Sequence, residues 1–450
     1  MERLNYKRTL LIGLAFLSIS AFWQMYDNVI PLILKNSFGM GETVTGAIMA
    51  MDNILALLLL PFFGALSDRV DTPIGKRTPF ILTGTALSVV FLMLLPAADH
   101  LRNLALFIGA LFFLLVSMGL YRSPAVALMP DLTPKPLRSK GNAVINLMGA
   151  VGGVYSLIMI KLLVGPGKTP SYFSLMLSVA VLMVAAVLIL FKTIPEKKLR
   201  DEMAAREAAN GAELAQQTET AVKAGAAPRT EQAEAGTAVQ AAGSGKLAPE
   251  VKRSLIFILL SVSLWFMAYN AVTTAFSRYA TEVWGLQSGG YADCLLVATV
   301  AAILSYLPIG VISSRIGRKK TIMGGVVLMA SCYLFAAFFG TYHVAINVGF
   351  ALIGFAWAAI NVNSFPMVVE ISSSGDVGKY TGYYYTFSMA AQVLTPVLSG
   401  FLLEHVSYRT LFPYAVVFSL LALLTMSQVK HGDSKPEQKK SVLENFDVED

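Results

Sequence analysis

The sequence predicts an all-α membrane protein: twelve transmembrane helices in two six-helix lobes, related by a pseudo-two-fold axis along the membrane normal. Three observations predict it. The 450 residues are 55% hydrophobic and only 14% charged, with a mean hydropathy of +0.62, whereas a soluble domain carries about 25% charged residues. Uncharged runs such as Leu104 to Tyr121 and Met323 to Tyr342 reach the length of about 18 that crosses hydrocarbon. The second half of the chain also repeats features of the first, in the same order.

In chain order the first lobe holds spans over 9–34, 43–66, 79–97, 104–129, 142–164 and 172–193. The second holds 254–280, 291–313, 321–341, 344–369, 381–403 and 409–428. Each is long enough to cross the bilayer with some tilt. The charged start, Met1 to Arg8, leads into an apolar run too long for a signal-peptide core, so the first helix is expected to stay in the membrane. Basic residues alternate between connections. Even-numbered loops hold Arg69, Lys76 and Arg77, then Lys135, Arg138 and Lys140, then Arg315, Arg318, Lys319 and Lys320. Odd-numbered loops hold scattered cases such as Lys35 and Arg102. The positive-inside rule therefore predicts both termini in the cytoplasm. The same placement accounts for the net charge of +7 without nucleic acid.

From Pro195 to Glu250 the composition changes. No Phe, Tyr or Trp occurs between Lys192 and Ile256, and Ala, Glu, Gln, Gly and Thr dominate. Such a segment buries too little apolar surface to offset its ordering entropy. The expected organisation is a lobe over 1–194, a flexible cytoplasmic linker over 195–250, a lobe over 251–430 and a cytoplasmic tail over 431–450. A surface helix is possible over Glu196 to Gln217.

The repeat has a register. Trp23-Gln-Met25-Tyr-Asp-Asn28 matches Trp265-Phe-Met267-Ala-Tyr-Asn270 at an offset of 242, and Gly75-Lys76-Arg77 matches Gly317-Arg318-Lys319 at the same offset. Asp131 and Lys140 match Glu370 and Lys379 at an offset of 239. An even number of spans per half makes the repeats parallel, the layout of a rocking transporter with its site between the lobes near the midplane. The two cysteines, Cys294 and Cys332, sit in apolar runs as small core residues. With four His and no CxxC, HExxH or Walker loop, neither an enzyme nor a metal site nor a bound cofactor is expected.

The loop after span two reads Gly64-Ala-Leu-Ser-Asp68-Arg69, then Gly75-Lys76-Arg77. It resembles the signature loop of the major facilitator superfamily, with a longer spacing before the second glycine. The second half keeps Gly310, Arg315, Gly317, Arg318 and Lys319, with Ser314 in place of the acid. Pro61-Phe-Phe-Gly64, the longer spacing, Arg77-Thr-Pro79-Phe80-Ile81 and Ala127-Leu-Met-Pro-Asp131-Leu are similar to the sucrose/proton symporters of plants and their animal and bacterial relatives. The resemblance covers most of the first half well and the second half weakly. It implies a proton-coupled glycoside symporter, with a disaccharide as the leading candidate substrate. There are departures. Where the plant branch has Arg, five residues before the loop acid, this chain has Val126, and Arg122 lies one turn earlier. The acid that the plant branch carries higher on helix four is replaced by Leu115.

Ionisable groups in hydrocarbon normally face a cavity. Asp27 lies ~8 Å to the outer side of the middle of span one, and Arg122 about as far to the inner side in span four. Asp52, beside Asn53, lies near the middle of span two. Asp27 and Asp52 are the expected proton-coupling acids. Sugars need amides and carboxylates for hydroxyl pairs and aromatic faces for the apolar side of the ring. The expected substrate residues are Trp23, Gln24, Tyr26, Asp27, Asn28, Tyr121, Arg122, Tyr269, Asn270, Trp357, Asn361 and Asn363. Of Tyr383, Tyr384 and Tyr385, not all can face one cavity. Asp68, Arg69, Lys76, Arg77, Asp131, Lys140, Arg315, Arg318, Glu370 and Lys379 are the expected gating residues, pairing between lobes when the inner side is closed.

The resulting expectation is a monomeric sugar/proton symporter of the cell membrane, with the absence of N-x-[ST] sites compatible with a bacterial inner membrane. Its partners are a sugar and the lipid bilayer, and Na⁺ is the alternative ion. Rival readings are a drug/proton antiporter of the same fold and a non-transporting membrane sensor.

Overall fold

The computed structural model describes residues 4–134, 137–167, 169–203, 205, 248–371 and 377–433. The first lobe comprises α1 (Tyr6–Asn36), α2 (Glu42–Arg69), α3 (Thr78–His100), α4 (Leu104–Asp131), α5 (Arg138–Leu163) and α6 (Phe173–Thr193). The second comprises α7 (Pro249–Glu282), α8 (Tyr291–Ile316), α9 (Arg318–Ala337), α10 (Ala345–Glu370), α11 (Val377–His405) and α12 (Leu411–Ser427). Eleven of these pass as membrane spans outright, and α8 makes twelve when its two parts, bent by 54° at Pro308, count as one. Proline lacks the N–H that would continue the ladder, so the bend falls there. Several helices outrun the expected spans. α7, expected over 254–280, begins at Pro249 and ends at Glu282.

The two lobes pack alike. α1 lies on α5, α3 on α4 and α6, and α2 on α4; α7 on α11, α9 on α10 and α12, and α8 on α10 repeat the pattern. The lobes meet through α1 with α7, α2 with α11 and α5 with α8. At the α2–α11 crossing, a side chain at Gly46 would run into the Pro396 carbonyl, and one at Gly400 into the Glu42 backbone. Only glycine lets the two backbones come this close. The contact is confined to one end. The buried residues of α2 are Glu42, Thr45, Gly46, Met49 and Ala50, then none until Ser67. The lobes are therefore closed together on the face opposite the basic loops and parted toward the basic-loop face.

On the basic-loop face each lobe is tied within itself. Arg77 reaches Asp68 at 2.5 Å and Asp131 at 2.8 Å, and also Ser67. Arg318 pairs with Glu370. Two carboxylates from outside the spans hold these loops. Glu196, 1% exposed, accepts the backbone N–H groups of Lys76, Arg77 and Thr78 at 2.7–2.9 Å. It also accepts the Thr78 hydroxyl. Asp433 accepts the Lys319 N–H at 2.7 Å, the same position in the second lobe. Each acid follows its lobe's last helix and satisfies orphan donors at a helix N-terminus. Gly75 and Gly317, at φ +120° and +95°, leave the space those carboxylates occupy.

The expected linker over 195–250 thus begins with a docked turn. Residues 196–203 are helical, and Arg200 binds Asp71 at 2.9 Å. That hydrogen bond holds the Asp71 carboxyl below its usual range. Residues 206–247, the tail beyond 433 and Lys135 lie outside the described residues.

Candidate functional site: the inter-lobe cavity

Between the parted lobes lie two adjoining cavities of about 750 Å³ and 570 Å³. Trp23, Asp27, Arg122, Trp357 and Tyr385 line both. The larger is walled on the first lobe by Gln24, Arg138, Asn142 and Asn146, and on the second by Tyr269 and Tyr306. The smaller is walled by Asp52 and Asn53 on α2, by Asn270, Thr273 and Thr274 on α7, by Asn361 on α10 and by Gln392 on α11.

Helix geometry decides which side chains point inward. Trp23 and Asp27, four residues apart, share one face of α1. Tyr26 and Asn28 are each rotated about 100° away. Tyr26 is fully buried, and Asn28 is 1% exposed with its amide donating to the Gln24 carbonyl at 2.9 Å. Neither lines the cavities. Tyr121 does not line them either: its hydroxyl pairs with Ser18 at 2.7 Å and donates to the Ala15 carbonyl, bracing α4 against α1. Asn363 is 1% exposed, with its amide on the Ala359 carbonyl, while Asn361 reaches the smaller cavity. Of the tyrosine triplet, Tyr384 and Tyr385 line that cavity, and Tyr383 is 40% exposed on another face.

Two aromatic plates face the lumen from opposite lobes. Trp23 stands edge-on to Tyr26 at 5.3 Å, and the Arg122 guanidinium lies 5.9 Å from its ring. Trp357 stacks on Tyr269 at 3.7 Å with the planes 5° apart. Among the described residues, Trp23 Nε1 and Asn270 Nδ2 have no hydrogen-bond partner. The acids differ in setting. Asp52 accepts the backbone N–H and side-chain amide of Asn53 at 2.6 and 2.7 Å, and it feels the charge of Arg122. The neighbouring charge at Asp27 is Asp52.

The expected gating residues sit apart from this lumen. Asp68, Arg77 and Asp131 form one cluster, Arg318 and Glu370 another, and Arg69, Arg315 and Lys379 are exposed on the basic-loop face. The Lys76 backbone is held by Glu196. Lys140 lies in the first turn of α5.

Sequence reasoning did not single out the residues that close the opposite face. Arg278 on α7 and Glu42 on α2, 2% and 3% exposed, pair at 2.5 Å across the lobes. Tyr408 also donates to Glu42, and Lys35 reaches Glu282 at 2.6 Å. Lys161 pairs with Asp293 at 2.6 Å, and Glu404 accepts the Thr43 N–H at 2.7 Å. The signal was an Arg inside an apolar helix near its end, which reads as an interfacial anchor until its partner is placed.

Residues 12–305 and 294–446 match the Major Facilitator Superfamily. The chain belongs to that superfamily. Among curated relatives, it is 30% identical over 134 residues to the chloramphenicol resistance protein CraA of Acinetobacter baumannii, covering 30% of this chain and 31% of that one. It is 26% identical over 137 residues to the sucrose transport protein SUC3 of Arabidopsis thaliana, covering 26% and 23%. The matched stretches thus span about a quarter to a third of these relatives' length. Among solved structures, a POT peptide transporter superposes with TM-score 0.67 at 12% identity, over 94% of each chain. The nucleoside transporter NupG does so with TM-score 0.65 at 14% identity, over 95% of this chain and all of that one. At such identities the likeness shows the fold alone.

Proposed function

We propose that this transporter is a proton-coupled glycoside symporter working by alternating access, captured open toward the cytoplasm. Positive-inside placement of the basic loops supports that direction and cytoplasmic termini; the reading further takes the protein as a monomer in the cell membrane of a bacterium. The observation that carries the substrate class is the pair of facing aromatic plates, Trp23 and Tyr269–Trp357, in a lumen with unpartnered Trp23 and Asn270 donors. Ring faces take the apolar side of a pyranose, and the free donors and Asn361 take its hydroxyls. Two acids in the same lumen, Asp27 and Asp52, supply the proton sites. SUC3 being a sucrose transport protein supports the same reading.

A drug/proton antiporter is the second reading, favoured by the similarity to CraA. Uptake by reconstituted protein separates the two. A labelled sugar panel is offered with and without an inward acid gradient, beside chloramphenicol export. Gradient-stimulated uptake of a glycoside is the expected result. Drug export without any sugar uptake overturns it.

A further inference from the structure

A separate cavity of about 180 Å³ lies on the outer face, and none of its lining residues lines the lumen. Both lobes build it. Asn36 at the end of α1 and Tyr172 just before α6 come from the first lobe. Thr281 and Glu282 at the end of α7, Gln287 in the next loop and Tyr291 at the start of α8 come from the second. The α7–α8 loop is pressed onto the first lobe. At Gly289, φ +71°, a side chain would meet the Ile160 carbonyl in the last turn of α5. Its neighbour Ser288 holds φ +53°, a left-handed conformation rare outside glycine. Lys161 and Asp293 pair across the same seam at 2.6 Å. The cavity is therefore complete only while the outer face is closed.

Its lining suits a small uncharged molecule rich in hydroxyls. Tyr291 is 2% exposed, and among the described residues its hydroxyl has no hydrogen-bond partner. A buried hydroxyl is costly until something pairs with it. The Asn36 and Gln287 amides can both donate and accept. The Thr281 hydroxyl donates to the Ser277 carbonyl at 2.8 Å and keeps lone pairs to accept. Glu282 is the one charged lining residue among those described, and Lys35 already answers it at 2.6 Å. The volume of about 180 Å³ is below the ~300–1,000 Å³ of drug-sized sites and on the scale of one sugar ring. We propose that this cavity is a regulatory site for a monosaccharide or a similar small polyol, and that its occupation holds the outer face closed. A ligand that needs both lobes binds the outer-closed state alone and shifts the population toward it. External saccharide thereby slows the return to the outward-open form and lowers the maximal uptake rate without competing in the lumen. The proposal rests on the alternating access read above and not on which substrate the lumen carries.

The test uses the full chain in proteoliposomes, lacking Cys294 and Cys332 and carrying Ala50→Cys in the α2–α11 seam, outside this cavity. An impermeant maleimide is added outside together with glucose, galactose, mannose or glycerol. Labelling is expected to slow with at least one of them, by about ten-fold at about ten times its half-effect concentration. Tyr291→Phe and Gln287→Ala each delete one hydrogen bond, and each should raise that half-effect concentration about five-fold. The rate without sugar should stay as in the parent, which also shows that the variants are folded. Labelling that none of the four slows overturns the proposal and leaves the glycoside reading intact. Slowing with the same half-effect concentration in both variants places the sugar in the lumen and overturns it as well. An Ala50→Cys that never reacts, with or without sugar, overturns alternating access itself and the proposal with it.

Discussion

Glu42 on α2 and Arg278 on α7 form an ion pair at 2.5 Å across the lobes, with both side chains almost wholly buried. Tyr408 donates to the same carboxylate, and Lys35 stands 3.6 Å from it. Removing one partner of a buried pair leaves an uncompensated charge and costs about 3–5 kcal/mol. The pair exists only while this face is closed, so that energy is a bias between conformations and not merely a contribution to folding.

Glu42→Gln keeps the shape of the acid and removes its charge. It is expected to raise the population open on the outer face at least ten-fold, ~1.4 kcal/mol. The check is a cysteine at Ala50, in the α2–α11 seam, in a background lacking Cys294 and Cys332. Its reaction with an impermeant maleimide added outside should accelerate. An unchanged rate removes the pair as an outer latch.

Asp27→Asn holds the neutral form of that acid permanently. Sugar-for-sugar exchange should persist, and accumulation driven by a proton gradient should vanish. Arg122→Ala should instead weaken binding itself, since its guanidinium lies over Trp23. A mutant Asp27→Asn that still accumulates sugar moves the coupling role to Asp52.

Trp357→Ala removes one plate of the Tyr269 stack. KM should rise about ten-fold or more, from lost ring contact and stacking. Trp357→Phe should recover most of it. Equal loss in both variants points to packing against Phe266 and Tyr269 and not to substrate contact.

The linker makes a split prediction. Deleting 210–240 should leave transport and thermal stability near wild type. Glu196→Ala should not, because three N–H groups of the α3 N-terminus lose their acceptor. A loss of about 1–3 kcal/mol is expected, read as a drop in Tm of several degrees. An equal effect of the two changes contradicts the docking of Glu196 as the feature that matters.

By itself the sequence determined the helix count, the division into lobes and the superfamily. Those depend on span length, hydropathy and local loop chemistry, all of which are readable along one dimension. It also picked the polar groups that lipid will not accept, and Trp23, Asp27, Arg122, Tyr269, Asn270, Trp357 and Asn361 do line the lumen. Tertiary structure decided which neighbours turn inward. Tyr121 and Arg122 are adjacent, yet one braces α1 and the other faces the cavity, because a 100° step separates them. It also decided which charges meet. Glu42 and Arg278 are 236 residues apart, and only the closing of two lobes on one face brings an unremarkable helix-end acid against a buried arginine.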